Sequence, residues 1–413
     1  MTSHHHNINI EEERYHLEGM GLNLVTWGGI AGIAALVTGL LISLLLGEGL
    51  RRFFFSYLTS FSYFLSIALG GLFFVLIHHA TRAGWSVVVR RIAEFTAANS
   101  LLLAILFLPI LFGMESLYHW VDKETVAQDA LLQTKEPYLN VPFFLIRMVI
   151  YFGTWCILSY FMLSRSLQQD TNGDPQLTLS MEKISYVGLL LFAITISYGA
   201  IDLMMTLDPH WFSTILGVYY FAGSTLSFFA FLSLAVYFLQ KNGRLTNAIT
   251  LEHYHDLGKY TFAFIFFWGY IAFSQYMLIW YANIPEETNW LLRRESGPWV
   301  WLGLTLIFGH FAIPFMGLIS RSPKRKKAVL AFWAVWILVM HYVDLFWLIM
   351  PEYYHFAEGE IPEVFCPFSW VDLFTFIGIG GLFLAGFARA ARGKALVPLK
   401  DPRLDESLAF ENF

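Results

Sequence analysis

The sequence predicts an all-α membrane protein that crosses a bilayer about ten times. Three observations predict it. Hydrophobic residues make up 57% of the 413 positions and charged residues only 14%, whereas a soluble domain carries about a quarter charged residues to cover its surface. The apolar residues fall in continuous runs rather than in the alternation of a transmembrane β-barrel. Each run reaches or exceeds the roughly 20 residues a helix needs to cross a hydrocarbon core about 30 Å thick.

In chain order the runs occupy 24–46, 55–79, 93–114, 141–165, 184–207, 212–239, 258–282, 297–319, 327–350 and 369–391. A polar tail, 1–23, precedes the first, and residues up to 54 close its outer loop. Between the fifth and sixth runs, Asp208-Pro209-His210 makes a tight turn, because Pro209 cannot continue a hydrogen-bonded helix interior. A loop at 351–368 and a tail at 392–413 complete the chain.

An even number of crossings puts both termini on one side. On that side lie Arg82, Arg90, Arg91, Arg165, Lys183, Lys241, Arg244, Arg321, the basic run Lys324 to Lys327, and the tail from Arg389. The other side has Arg51, Arg52, Lys123, Lys135, Arg293 and Arg294, and its loop 351–368 has no lysine or arginine. The positive-inside rule places both termini in the cytoplasm, with loops 115–140 and 351–368 as outer docking surfaces. The start of the chain, with Glu11, Glu12 and Glu13, lacks the basic opening and small-residue cleavage site of a signal peptide. The run His4-His5-His6 reads as a solvated tail. Cys156 and Cys366 are the two cysteines, and no Cys-x-x-Cys-His occurs. Covalent haem and an iron–sulfur centre are therefore not expected on this chain.

The two halves resemble each other. Asp202-Leu203 precedes Pro209 by the same interval as Asp344-Leu345 precedes Pro351, with aromatic pairs after both prolines. Leu163-Ser164-Arg165-Ser166 matches Ile319-Ser320-Arg321-Ser322. Both likenesses join elements four helices apart, a shift that preserves direction through the membrane. They predict two parallel-repeat four-helix bundles, helices 2–5 (55–207) and 6–9 (212–350), with helices 1 and 10 peripheral and Asp202 and Asp344 in equivalent places.

Ionisable residues inside a membrane are costly and face a bundle interior. The candidates are Glu94, His310, His341, Arg147, Asp202 and Asp344, with His78 and His79 near one face and Asp372 opening helix 10. His341 and Asp344 are three apart and share a helix face, as do Tyr198 and Asp202, four apart. Carboxylate, imidazole and phenol can all exchange protons, so a ladder from Glu94 through the histidines to Asp202 and Asp344 suggests a proton path. The competing reading makes Arg147–Asp202 a structural ion pair. Asp344, with no evident arginine partner, is the strongest functional candidate. His310 and His341 crudely meet the need of one bis-histidine haem, but a di-haem cytochrome b needs four histidines.

The run Tyr198-Gly-Ala-Ile-Asp202 to Asp208-Pro209-His210-Trp211-Phe212-Ser213-Thr214 resembles the helix-five signature of membrane subunits of bacterial alternative complex III. Phe61-Ser-Tyr-Phe-Leu, His78-His79-Ala-Thr-Arg82-Ala-Gly-Trp85 and His341-Tyr-Val-Asp344 are similar too. The wider group is the NrfD/polysulfide reductase membrane-subunit family, here of the ActF-like kind, and the likeness runs from about 20 to 400. The resemblance implies a ten-helix subunit of the bacterial inner membrane, within a respiratory complex that oxidises quinol and reduces cytochrome c. It implies as partners a homologous membrane subunit (ActC), an external iron–sulfur subunit, c-type cytochrome subunits and, as a further candidate, a terminal oxidase. Haem and iron–sulfur centres then belong to those partners, quinone or quinol is the candidate ligand here, and proton translocation is the best-supported role. Lipid is the solvent, and nothing in the charge pattern points to nucleic acid. A scaffold without chemistry of its own and a stand-alone secondary transporter are the alternatives.

Overall fold

The computed structural model describes residues 13–355 and 367–412, and among these it is helical with no strand. Ten helices are long and apolar enough to cross a membrane: α1 (Glu18–Leu45), α2 (Gly49–Ala80), α3 (Val87–Phe112), α4 (Val141–Asn172), α5 (Pro175–Leu207), α6 (Leu216–Lys241), α7 (Leu251–Ala282), α8 (Trp299–Leu318), α9 (Lys327–Tyr354) and α10 (Trp370–Ala391). The histidine run 4–6, Glu11, Glu12, Cys366 and most of loop 351–368 lie outside the described residues.

Several helices outrun their apolar runs. α4 continues to Asn172 and α5 starts at Pro175, well outside 141–165 and 184–207. Local chemistry explains the extension. Gly173 closes α4 in the left-handed region (φ 67°), its N–H bonded to Gln169 O, and the Asp174 side chain caps α5 through Gln176 N with Pro175 in its first turn. Such caps satisfy the end groups of a helix in water. α7 likewise begins at Leu251 behind a capping box on Thr250. Hydropathy reads only the part within lipid.

α9 runs through Pro351, where the apolar run stopped. A proline inside a helix leaves the carbonyl four residues earlier without a donor. That carbonyl is Trp347 O, and Arg294 Nε donates to it at 3.2 Å while Arg294 Nη2 reaches Leu348 O at 2.7 Å.

α2 is the central element, buried along nearly its whole length. It packs on α3, α5, α6, α9 and α10, while α1 lies chiefly along α10. α2, α3, α4 and α5 touch in sequence around a ring, and so do α6, α7, α8 and α9. Small residues bring backbones close at these crossings. A Cβ on Gly70 would collide with the Ser224 carbonyl of α6.

One end of the bundle is closed by both terminal segments. Leu396 N donates to Tyr15 O (2.7 Å), and Arg244 Nε to His16 O (2.8 Å). The Glu13 carboxylate accepts from Thr246 N and Ala248 N (3.0 Å each). Arg90 pairs with Asp401, and Asp170 accepts from Leu399 N.

Candidate functional site

The site is built around Asp344, buried in the middle of the second ring. α9 supplies Asp344 and His341, three residues apart on one face, with His341 Nδ1 3.8 Å from Asp344 Oδ2. α6 brings Tyr219, whose hydroxyl donates to Asp344 Oδ1, and α7 brings Trp268, whose Nε1 donates to Oδ2 at 3.1 Å. Among the described residues no arginine or lysine pairs with this carboxyl.

α2 supplies Ser66, whose Oγ is 2.8 Å from His341 Nε2. The Ser66 hydroxyl also donates to Tyr63 O at 2.6 Å. A hydroxyl has one proton; with it on Tyr63 O, Ser66 accepts from His341. Neutral His341 therefore carries its proton on Nε2 and turns a bare Nδ1 toward Asp344. Gly223 of α6 makes room for this ring, since a Cβ there would come within 2.8 Å of His341 Cε1.

His310 completes the group. It lies in a π-helical segment of α8, Leu306–Ala312, a distortion that recurs at functional positions. Its ring stacks 4.0 Å from that of Trp268 and 6.2 Å from that of His341. It is fully buried, and neither ring nitrogen has a hydrogen-bond partner among the described residues. Together these groups place a buried acid, held by a hydroxyl and an indole donor, beside two imidazoles, residue types that can take up and release a proton.

Asp202 has different surroundings. Arg147 of α4 grips it through Nε (2.8 Å) and Nη2 (2.9 Å), and the Tyr151 hydroxyl adds a third bond at 2.9 Å. Arg147 further donates to Tyr138 O and lies over the Tyr138 ring at 3.8 Å. This is a saturated ion pair joining α4 to α5, the arrangement that fixes geometry. The tyrosine on Asp202 is Tyr151, not Tyr198. Helical spacing put Tyr198 near Asp202, but Tyr198 is 47% exposed whereas Asp202 is fully buried, since positions four apart are turned about 40° from each other around the helix axis.

Glu94 belongs to an ionic cluster at the terminal end. Arg91 Nε lies 2.9 Å and Arg90 Nε 3.6 Å away, and Arg91 also holds Asp170 (2.7 Å) and Ser166. The cluster ties α3 to α4 and to the C-terminal tail. No direct hydrogen bond among the described residues joins it to Asp344. His78 donates from Nδ1 to Phe74 O (2.8 Å) and stacks on the Phe74 ring.

At the opposite end, Asp208 pairs with Arg293, and Glu352 with Arg294 at 3.0 Å. Burial alone would raise the Asp208 carboxyl, but Arg293, the His210 N–H and Arg294 hold it below its ordinary value. Burial lowers Arg294 to about 10. Arg52, which falls in the first outer loop by sequence, is buried in α2 and pairs with Asp372, which also accepts from Ser56 Oγ at 2.6 Å.

Sequence reasoning missed Tyr219, Trp268 and Ser66. With 20 tyrosines and 14 tryptophans in the chain, no spacing distinguishes the two that reach Asp344. Among the described residues no group of three or more histidine, cysteine or acidic side chains could hold a metal ion. No family model matches the chain, and no curated protein matches it.

Proposed function

We propose that this chain is an integral membrane subunit of a respiratory quinol:cytochrome c oxidoreductase of the alternative complex III type, and that the Asp344 group carries protons within it. The observation that bears this reading is the buried carboxyl without a cation, set beside the bare Nδ1 of His341. A buried carboxylate usually finds an arginine or lysine; one held only by neutral donors can change protonation state without stranding a partner charge. In this reading external iron–sulfur and c-haem subunits and a sister membrane subunit handle the electrons. The two helix rings are parallel repeats, and both termini face the cytoplasm of a bacterial inner membrane. Asp202 locks the first ring as Asp344 serves the second.

The test is Asp344→Asn in the intact assembly. Proton release per electron should fall several-fold while subunit composition and quinol oxidation under uncoupled conditions persist. Unchanged proton stoichiometry would remove the role. The saturated Arg147–Asp202 pair favours a second reading, a scaffold that anchors external redox subunits. Under it Asp344→Asn behaves as wild type, and changes within loop 351–368 release partners.

A further inference from the structure

A cavity of about 320 Å³ opens at the end of the bundle away from the termini, between the stretch leading into α4 and the close of α5. Leu139, Ile201, Met205 and Phe212 give it apolar walls. Its size is that of a small-ligand site, and such sites combine apolar walls with a few polar groups. Lys135, Tyr138, Thr206 and Trp211 add polar side chains to its lining. Trp211 is 2% exposed, and its indole Nε1 has no hydrogen-bond partner among the described residues. Lys135 makes one hydrogen bond, from Nζ to Pro209 O at 2.5 Å, although an ammonium has three donors.

The nearby carboxylates are engaged elsewhere. Asp208 pairs with Arg293. Asp129 accepts from Leu131 N, Leu132 N and the His210 ring. The cavity is thus lined by an ammonium with donors to spare and by a tryptophan whose buried indole N–H lacks an acceptor among the described residues. A buried donor without an acceptor costs free energy, which a ligand with an accepting head and an apolar body relieves.

We propose that this cavity binds a phospholipid from the leaflet on this side, with its phosphate on Lys135, an ester or phosphate oxygen on Trp211, and an acyl chain along Ile201 and Met205. Depth and charge favour this occupant over a neutral quinone ring. The cavity lies where a span ends and polar connecting helices begin, the headgroup level at which tryptophan is enriched. A lysine ammonium suits an anionic phosphate better than a carbonyl, since a charged acceptor makes the stronger hydrogen bond.

The full chain, delipidated in mild detergent, can be titrated with phosphatidylglycerol, phosphatidylcholine or a menaquinone and followed by native mass spectrometry. Phosphatidylglycerol should be retained most tightly, as one molecule. Lys135→Met should weaken that retention about tenfold, the scale of one charge-assisted hydrogen bond. Met205→Trp, which fills the cavity, should abolish it. Retention unchanged in both variants would mean non-specific annular lipid and overturn the proposal. So would menaquinone held more tightly than phospholipid and lost in Met205→Trp.

Discussion

Ser66 on α2 fixes the proton of His341 on α9. Its own proton goes to Tyr63 O, so at 2.8 Å it accepts from Nε2, and the nitrogen facing Asp344 is left bare. The orientation of the imidazole follows from a hydroxyl on another helix. Solid-state nitrogen NMR of histidine-labelled protein should show the Nε2–H tautomer for His341 at neutral pH. Ser66→Ala should give a mixture of tautomers and a severalfold slower proton step. A pure Nδ1–H signal in the wild type would contradict the assignment.

Removing single donors from Asp344 should have graded effects. Tyr219→Phe and Trp268→Phe each keep the ring and delete one hydrogen bond. Each should cost about 1–3 kcal/mol of stability if the carboxyl stays ionised. Adding Asp344→Asn to Tyr219→Phe should cost less than the sum of the two single changes. Thermal unfolding in detergent measures both. Strict additivity would place the tyrosine outside the carboxyl's hydrogen-bond group.

The ion pair of the first ring should respond differently. Arg147→Met strands the buried Asp202 carboxylate and should cost about 3–5 kcal/mol. Joining it to Asp202→Leu should recover much of that loss, because no charge is left unpaired. Chemical unfolding of the three variants checks the order. A double variant as unstable as Arg147→Met would show that Arg147 acts mainly through Tyr138.

Pro351 and Arg294 make a second coupled pair. Arg294→Leu abandons the Trp347 and Leu348 carbonyls and Glu352, and should lower the unfolding midpoint sharply. Pro351→Ala restores an N–H four residues after Trp347. The combination should therefore be more stable than Arg294→Leu alone. If it is not, the arginine matters through Glu352 rather than through the broken helix.

Asp208 predicts a pH dependence. Its carboxyl sits below the ordinary value, so the unfolded chain binds its proton at higher pH than the folded chain does. Its contribution to stability is present above the unfolded value of about 3.9 and is lost as pH falls through the lower folded value. Asp208→Asn should flatten the acid limb of the stability curve below about pH 4. An unchanged acid limb would show that another carboxylate governs it.

The ten spans were legible because a membrane helix must be apolar over a fixed length, and each run shows it. The ends were less so. The extension from 258 back to Leu251 depends on the Thr250 cap, and the passage through Pro351 depends on an arginine 57 residues earlier in the chain. The acid at the centre of the site was legible because a carboxylate within an apolar run is conspicuous. Its partners were not. Ser66, Tyr219 and Trp268 are ordinary residues of membrane helices, and only the crossing of α2, α6, α7 and α9 makes them a group. Tyr198 shows the reverse: correct spacing on its own helix, and no neighbour to turn it inward.

The closure of one end by both terminal segments bears on how the chain is made. The last residues hold the structure at points laid down far earlier: Asp401 on Arg90, Ser407 on Trp85 O and Val88 N, and Leu396 on Tyr15. Synthesis proceeds from the N-terminus, so α3 and the turn before it enter the bilayer with these positions open. Arg90 has Glu94 beside it from the start and gains Asp401 only after seven further crossings. These contacts can form only after all ten spans have been made, and a chain truncated before residue 396 would lack every one of them.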